Sequence, residues 1–473
     1  MLTDTANRIR GIGVKMDMTE KETFMSWNQK IIRIVRVRNS QKTGVLAKLL
    51  TIIAEAGGNI GSIVLLTETS RHTVRDITVT VESEEALEAV LKGLQSNEDT
   101  KVIEVRDQVL ELHQKGKIAI RSRYPIESLA TLRRVYTPGV AEVCMRIAKD
   151  PSQARLYTSI SHMVAIVTDG TAVLGLGDIG PLAGMPVMEG KAMLMETLVG
   201  LSGIPILLNT KDPEEIIRTV AAIAPTFAAI QLEDISAPRC FEIEERLQAM
   251  LDIPVLHDDQ HGTAVVSTAA LMVASRETGR DLNKAVIGQI GLGAAGHAIG
   301  QMLMRLTGNP VYGADLSSAA LDRFEKVGGI KSNLNEIMTK CDIVIATTGA
   351  PNLIKPEMVR KGQIILALSN PNAEIDPNVA MEHGAAFAAD GKSVNNVLGF
   401  PGIFRGAVDA NAPRITHEML LAAATTIAGL TPSGELVPNP LDKKVHHAVA
   451  RAVAEMAIKQ GLARADYVPY VEE

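Results

Sequence analysis

Polar and apolar positions alternate in IIRIVRVR, from Ile31 onward, which predicts a strand with one buried face. GVLAKLLTIIAEAGG then spaces its apolar residues for one helical face and stops at Gly57-Gly58. Two strands are expected around Ile60–Thr67 and Thr73–Glu82. SEEALEAVLKGLQ sets Leu87, Val90, Leu91 and Leu94 on one helical face behind a Ser83 cap, and KVIEVRD supplies a last strand. The order β-α-β-β-α-β over residues 30–107 is that of a ferredoxin-like domain. Residues 1–29 show no sustained period and read as a tail.

VIEVRDQVLELHQKGKIAI predicts a connecting strand and helix, after which the pattern changes. MVAIVTD, GIPILLN, FAAIQLED and IPVLHDD are short strands with no polar face, and helices separate them. That is the signature of a parallel sheet covered on both sides. A second set begins at Lys284 and runs through VYGAD, CDIVIATTG and QIILALSN, and helices follow from about Thr416. The expected fold class is α/β: a parallel-sheet domain over residues 108–280 and a Rossmann-like domain with C-terminal helices over residues 281–473, preceded by the ferredoxin-like domain.

Composition narrows the function. With 46% hydrophobic but only 3% aromatic residues, the cores must be aliphatic. A net charge of -6 argues against a nucleic-acid binder. No apolar run is long enough for a membrane span, and the opening residues lack the apolar middle of a secretory signal. Cys144, Cys240 and Cys341 stand far apart with no metal-ligand spacing, which suits buried thiols in a reducing compartment, so the cytoplasm is expected.

KAVIGQIGLGAAGHAIGQMLMRL reads as strand, Gly-rich turn and helix. Gly291 permits the turn, Gly293 lets the backbone approach a pyrophosphate, and Gly296 allows close helix–strand packing, with Ala294 and Ala295 opening the helix. Alone, such glycines can serve merely a tight turn. Here Asp315 ends the next strand at the spacing of a ribose-binding acid, and no Arg or Lys follows it directly. A carboxylate there accepts bonds from ribose hydroxyls and repels a 2′-phosphate, so NAD is expected over NADP.

Two apolar strands end in paired acids, Glu233-Asp234 and Asp258-Asp259. Ligands of open α/β sheets collect beyond strand carboxyl ends, so these acids can converge into an oxygen site for Mg²⁺ or Mn²⁺. Each pair alone fits a helix cap or solvated turn equally well. His257 and His261 are expected as hydrogen-bonding helpers rather than ligands.

Seven motifs in order, VYTPGVAEVC, VTDGTAVLGLGDIG, MPVMEGKAMLMETLVG, LEDISAPRCFEIE, HDDQHGTA, LSNP and NNVLGFPGIFRGA, resemble the bacterial type of NAD-dependent malic enzyme over roughly residues 115–460. The resemblance implies oxidative decarboxylation of malate to pyruvate and CO₂ with NAD and a divalent metal. It implies Tyr136 as general acid, Lys191 as general base with Asp258 beside it, and Glu233, Asp234 and Asp259 as metal ligands. It further implies that Asn370, Asn395 and Asn396 hold substrate, Asn370 also touching the nicotinamide. The arginine that longer eukaryotic forms carry before LGLGD is replaced here by Thr171-Ala172, which leaves Arg123, Arg133 and Arg405 as candidates for the substrate carboxylate.

Lysine works as a base only when neutral, and freeing it at neutral pH costs about 4 kcal/mol from its ordinary pKa. Burial and a metal favour the neutral amine, whereas an ionised Asp258 opposes it. The balance is open at the level of sequence.

Thr43-Gly44-Val45-Leu46 and GGNIGSI, on either side of the first helix, are similar to an ACT-type regulatory domain. That resemblance implies pairing through sheets and a small effector, and a homodimer or homotetramer is expected. A purely structural pairing role stays open for this segment. Two other functions remain: a malolactic-type enzyme that releases lactate without net NADH, and a non-catalytic effector- or NAD-binding regulator. Intact Tyr136, Lys191 and acidic residues speak against the second.

Overall fold

A computed structural model describes residues 30–392, 394–465, 467 and 468; the expected tail over residues 1–29 lies outside them. The described residues form two compact units, one ending at Gly116 and one beginning at Lys117.

In the first unit, β1 (Ile31–Ser40), α1 (Val45–Glu55), β2 (Asn59–Glu68), β3 (His72–Val81), α2 (Glu84–Gln95) and β4 (Thr100–Asp107) follow the predicted order. The strands pair antiparallel as β2-β3-β1-β4. Alternation in β1 buries Val35 and Val37 against Leu49, Ile53, Val90 and Leu94 of the helices. Gly44 sits at φ 86 before α1, and the Ser83 hydroxyl accepts from Ala86 N to cap α2. The short helix α3 (Gln108–His113) follows β4.

The second unit opens with α4 (Leu129–Val135) and α5 (Val140–Lys149), neither of which buries a residue. Its first sheet is parallel, in the order β6-β5-β7-β8, from β5 (Met163–Thr168), β6 (Ser202–Leu207), β7 (Ala229–Leu232) and β8 (Val255–His257). The intervening helices are α6 (Pro181–Val199), α7 (Pro213–Ile223) and α8 (Arg239–Met250). The long α9 (Asp258–Thr278) leads from β8 to the second sheet.

That sheet has six parallel strands in the order β11-β10-β9-β12-β13-β14: β9 (Ile287–Ile290), β10 (Tyr312–Ala314), β11 (Ile330–Lys331), β12 (Ile343–Ala346), β13 (Ile364–Ala367) and β14 (Phe387–Asp390). The helices α10 (Ala294–Thr307) and α11 (Ser318–Lys326) flank it, and α12 (Phe400–Asp409), α13 (His417–Leu430) and α14 (Lys443–Lys459) close the chain. One aliphatic cluster runs from Val164 and Met188 through Val265 and Ile299 to Phe404 and Val453. This continuous core is why both sheets belong to one compact unit.

Phe324 of α11 is fully buried, and its ring lies where a Cβ on Gly300, Gly313 or Gly329 would have to be. Three glycines therefore admit one large ring that clamps α11 to α10 and β10. Phe324→Ala is expected to cost about 3–5 kcal/mol, read as a lower urea midpoint. An unchanged midpoint would contradict this packing role.

Candidate active site

The dinucleotide turn has the geometry its glycines predict. Gly291 adopts φ 83, and its N–H donates to Ala314 O at 2.8 Å. A Cβ at Gly296 would strike Gly291 O, whereas one at Gly293, the N-cap of α10, would meet nothing within 4 Å. The chain thus leaves room for a ligand only where a pyrophosphate is expected, with Ala294 and Ala295 in the first turn of α10. Asp315 stands just beyond β10. Its Oδ2 accepts from Leu292 N at 2.7 Å and its Oδ1 from Ser317 N at 2.8 Å, so the acid is fixed against the turn it serves.

On the other sheet, β7 ends in Glu233-Asp234, and β8 runs directly into α9 at Asp258-Asp259. Adjacent parallel strands release both pairs at the same end, so Glu233, Asp234 and Asp259 each offer an oxygen within 4.8 Å of the others. Lys191 reaches them from α6: its Nζ lies 2.5 Å from Asp258 Oδ2 and 3.0 Å from Glu233 Oε1, with the Phe400 ring centroid 4.5 Å away. Asn396 Nδ2 donates to the same Asp258 oxygen at 2.8 Å. Lys191 does not snorkel to solvent; it is 7% exposed.

The electrostatics of this group are uneven. Burial drives the Lys191 ammonium toward neutrality, but Asp258 and Glu233 outweigh burial and raise its pKa above the ordinary lysine value. Burial, reinforced by Asp259, pushes Asp234 up to about 8. Burial likewise raises Glu233, against the pull of Lys191, and Asp258 moves the same way for the same reason. The balance left open by the sequence therefore falls on the side of a charged lysine. Buried Asp234 Oδ2 and Asp258 Oδ1 have no hydrogen-bond partner. The unsatisfied Asp234 oxygen, in a cluster of three converging carboxyl groups, fits a hard divalent cation held by Glu233, Asp234 and Asp259.

Supporting residues come from places that read as ordinary in the sequence. Glu244 is buried in α8; it accepts from His257 N at 2.8 Å, Gln260 Nε2 at 3.0 Å and His261 Nε2 at 3.0 Å. It thereby pins the turn that presents Asp258 and Asp259. A signal was present, because Cys240, Ile243, Glu244 and Leu247 share one buried helical stripe. Asp169 pairs with Arg239 at 3.1 Å, and Thr171 N and Ala172 N donate to Asp234 O, fixing Asp234 at φ 54.

Among the described residues, Tyr136, Asn370 and Asn395 make no side-chain hydrogen bond to the cluster. Tyr136, at the end of α4, is 66% exposed. Asn395 Oδ1 caps the turn Asn396–Leu398 by accepting from Val397 N, and Asn370 Nδ2 donates to Gly391 O. Arg405, a candidate for the substrate carboxylate, is engaged in the free chain: its guanidinium is bidentate on Asp409 and also donates to Val199 O.

A dinucleotide turn on one parallel sheet and a buried carboxylate–lysine cluster on the other, inside one unit, define a nucleotide-dependent α/β enzyme with a hard-cation site. The profile for the malic enzyme N-terminal domain matches residues 115–248, and that for the malic enzyme NAD-binding domain matches residues 322–461. NAD-dependent malic enzyme 1 of Bacillus subtilis is 56% identical over 430 residues, covering 90% of this chain and 98% of that protein. The NAD-dependent malic enzyme of Geobacillus stearothermophilus is 42% identical over 462 residues, covering 92% and 96%. The solved malic enzyme structure from Pyrococcus horikoshii, 40% identical, superposes with a TM-score of 0.73 over 76% of this chain and 92% of its own. The chain belongs to the malic enzyme family.

A cation requires ionised ligands, whereas the free chain holds Asp234 protonated up to about 8. Mn²⁺ affinity, measured by titration calorimetry, is therefore expected to strengthen as pH rises through that value. Asp259→Asn should weaken it by more than about tenfold. A pH-independent affinity, or full affinity in the variant, would place the cation elsewhere.

Proposed function

We propose that this chain oxidises (S)-malate with NAD⁺ and decarboxylates the product to pyruvate and CO₂ through the residues gathered around Lys191. The observation that carries the reading is the enclosed Lys191–Asp258 pair set against the cluster Glu233, Asp234 and Asp259. When bound, the divalent cation supplies Lewis-acid polarisation and NAD⁺ accepts the hydride.

The chain's own residues handle the protons. Lys191 takes the C2 hydroxyl proton, for which its amine must first be neutral. Asp258, 2.5 Å away, is the group placed to receive the ammonium proton, and Asn396 orients that carboxylate. After CO₂ leaves, C3 needs one proton, and Tyr136 donates it. One proton taken at O2 and one returned at C3 leave no net proton change, and the turnover closes when the proton gained at Lys191 passes back to Tyr136. Asn370 and Asn395 contact the substrate, and Asp315 favours NAD⁺ by repelling a 2′-phosphate.

An acid that quenches an enolate works best shielded from water, yet Tyr136 is 66% exposed in the single chain. Ile120, Tyr124, Leu129, Met145 and Leu156, before and after it in the sequence, are exposed as well. These residues support a homodimer or homotetramer in which this segment is covered. The βαββαβ order and the turn at Gly44 support an ACT-type regulatory role for the first unit, with a small effector. Among the described residues no helix is long and apolar enough to cross a membrane.

With malate, Mn²⁺ and NAD⁺, NADH and pyruvate are expected to appear in equal amounts. Lys191→Ala should lose both, and Tyr136→Phe should lower turnover by about 10²-fold or more. Lactate without net NADH would instead indicate malolactic chemistry, and NADP⁺ serving as well as NAD⁺ would remove the role given to Asp315. For regulation, removing residues 1–116 should abolish the response to any effector that alters the full chain. A response that survives the removal would exclude the first unit as its site.

A further inference from the structure

Beyond the strands of the six-stranded sheet, one buried carboxylate stands outside the chemistry described so far. Glu374 follows β13 and is fully buried. Its Oε1 accepts from Thr348 N at 2.7 Å, Thr348 Oγ1 at 2.8 Å and Ser369 Oγ at 2.5 Å, and its Oε2 accepts from Ser369 N at 3.3 Å. All four donors are neutral, and they belong to two different loops. Ser369 Oγ also accepts from Gly349 N at 2.8 Å, which locks those loops together a second time.

The sheet register shows what these loops carry. Ile290, Ala346 and Ala367 lie side by side at the ends of β9, β12 and β13. The Gly291 turn follows the first, Thr347–Ala350 the second, and Leu368–Pro371 the third. Gln289 Nε2 bridges Gly291 O and Thr347 Oγ1, so the loop held by Glu374 is also tied to the dinucleotide turn. Asp315, beyond β10, marks the adenosine side of the turn. A dinucleotide that crosses the switch point at β9 must therefore lay its other half over the ends of β12 and β13. Asn370 is the next residue after Ser369.

We infer that Glu374 is a positioning residue for the nicotinamide half of the cofactor: through Thr348 and Ser369 it fixes the two loops against which that ring is oriented for hydride transfer. This rests on the malate–NAD⁺ reading above. Hydride transfer is sensitive to misplacement on the ångström scale, whereas cation binding at the other sheet is not served by these loops. The carboxylate thus acts first on hydride transfer, reaches the substrate only through Asn370, and leaves the cation ligands Glu233, Asp234 and Asp259 alone.

The test uses the full chain with Mn²⁺. Glu374→Ala is expected to weaken NAD⁺ binding by calorimetry and to lower kcat/KM for NAD⁺ roughly ten- to hundred-fold. It should also enlarge the deuterium isotope effect with malate labelled at C2, while Mn²⁺ affinity keeps its wild-type value and direct oxaloacetate decarboxylation falls by less than malate oxidation. Glu374→Gln, which keeps the oxygen that accepts three bonds, should recover most of the loss. If the alanine variant does not fold, Glu374→Gln and Ser369→Ala carry the comparison, each expected to show a smaller shift in the same direction. Wild-type NAD⁺ affinity and isotope effect in these variants, or a loss spread equally over Mn²⁺ binding and oxaloacetate decarboxylation, would overturn the inference. Failure of the wild-type chain to oxidise malate would sink the parent reading instead, and NAD⁺ calorimetry would still report on Glu374.

Discussion

Lys191 brings one positive charge into a region that holds four carboxylates, Glu233, Asp234, Asp258 and Asp259, the first three buried. Desolvating each ion costs several kcal/mol, and one ammonium cannot neutralise four acids. The free chain meets this by protonation, with burial and Asp259 holding Asp234 up to about 8. On the proposed reading, a divalent cation held by Glu233, Asp234 and Asp259 would replace those protons with fixed charge. It would also relieve the condition that keeps Lys191 charged, since its raised pKa depends on Asp258 and Glu233 outweighing burial. Charge balance would then link cation binding to the availability of a base.

The rest of the unit holds this unfavourable group in place. Parallel strands bring separate acidic pairs to one end of the sheet, and buried side chains fix the turns that present them. Glu244 does so for Asp258 and Asp259, and Arg239 with Asp169 does so for the Asp234 loop. Glu374 has the same form on the second sheet, where neutral donors from two loops surround it. In each case the buried acid is held by partners from a neighbouring turn or loop.

Periodicity exposed the strands and helices because parallel strands buried on both faces leave no polar alternation. The Gly-rich turn and paired acids were legible because each needs particular residues at a fixed spacing. Three things were not. The resemblance set Asp258 beside Lys191, but for these residues, 67 apart in the chain, only the fold shows that burial loses to charge. The supporting acids were hidden by composition: Glu244 lies in the charge-rich run FEIEERL, and Glu374 follows a turn where an acid is common. The exposure of Tyr136 was equally invisible, because a motif gives a residue's identity and not what covers it.

The position of the cation decides the roles of the residues around Lys191. Crystals grown with Mn²⁺ and NAD⁺, measured on both sides of the manganese absorption edge, would locate it directly. The account predicts one anomalous peak bounded by oxygens of Glu233, Asp234 and Asp259, on the side of the cluster facing Lys191. A peak that shares none of these three carboxylates, with the cluster left protonated, would contradict it.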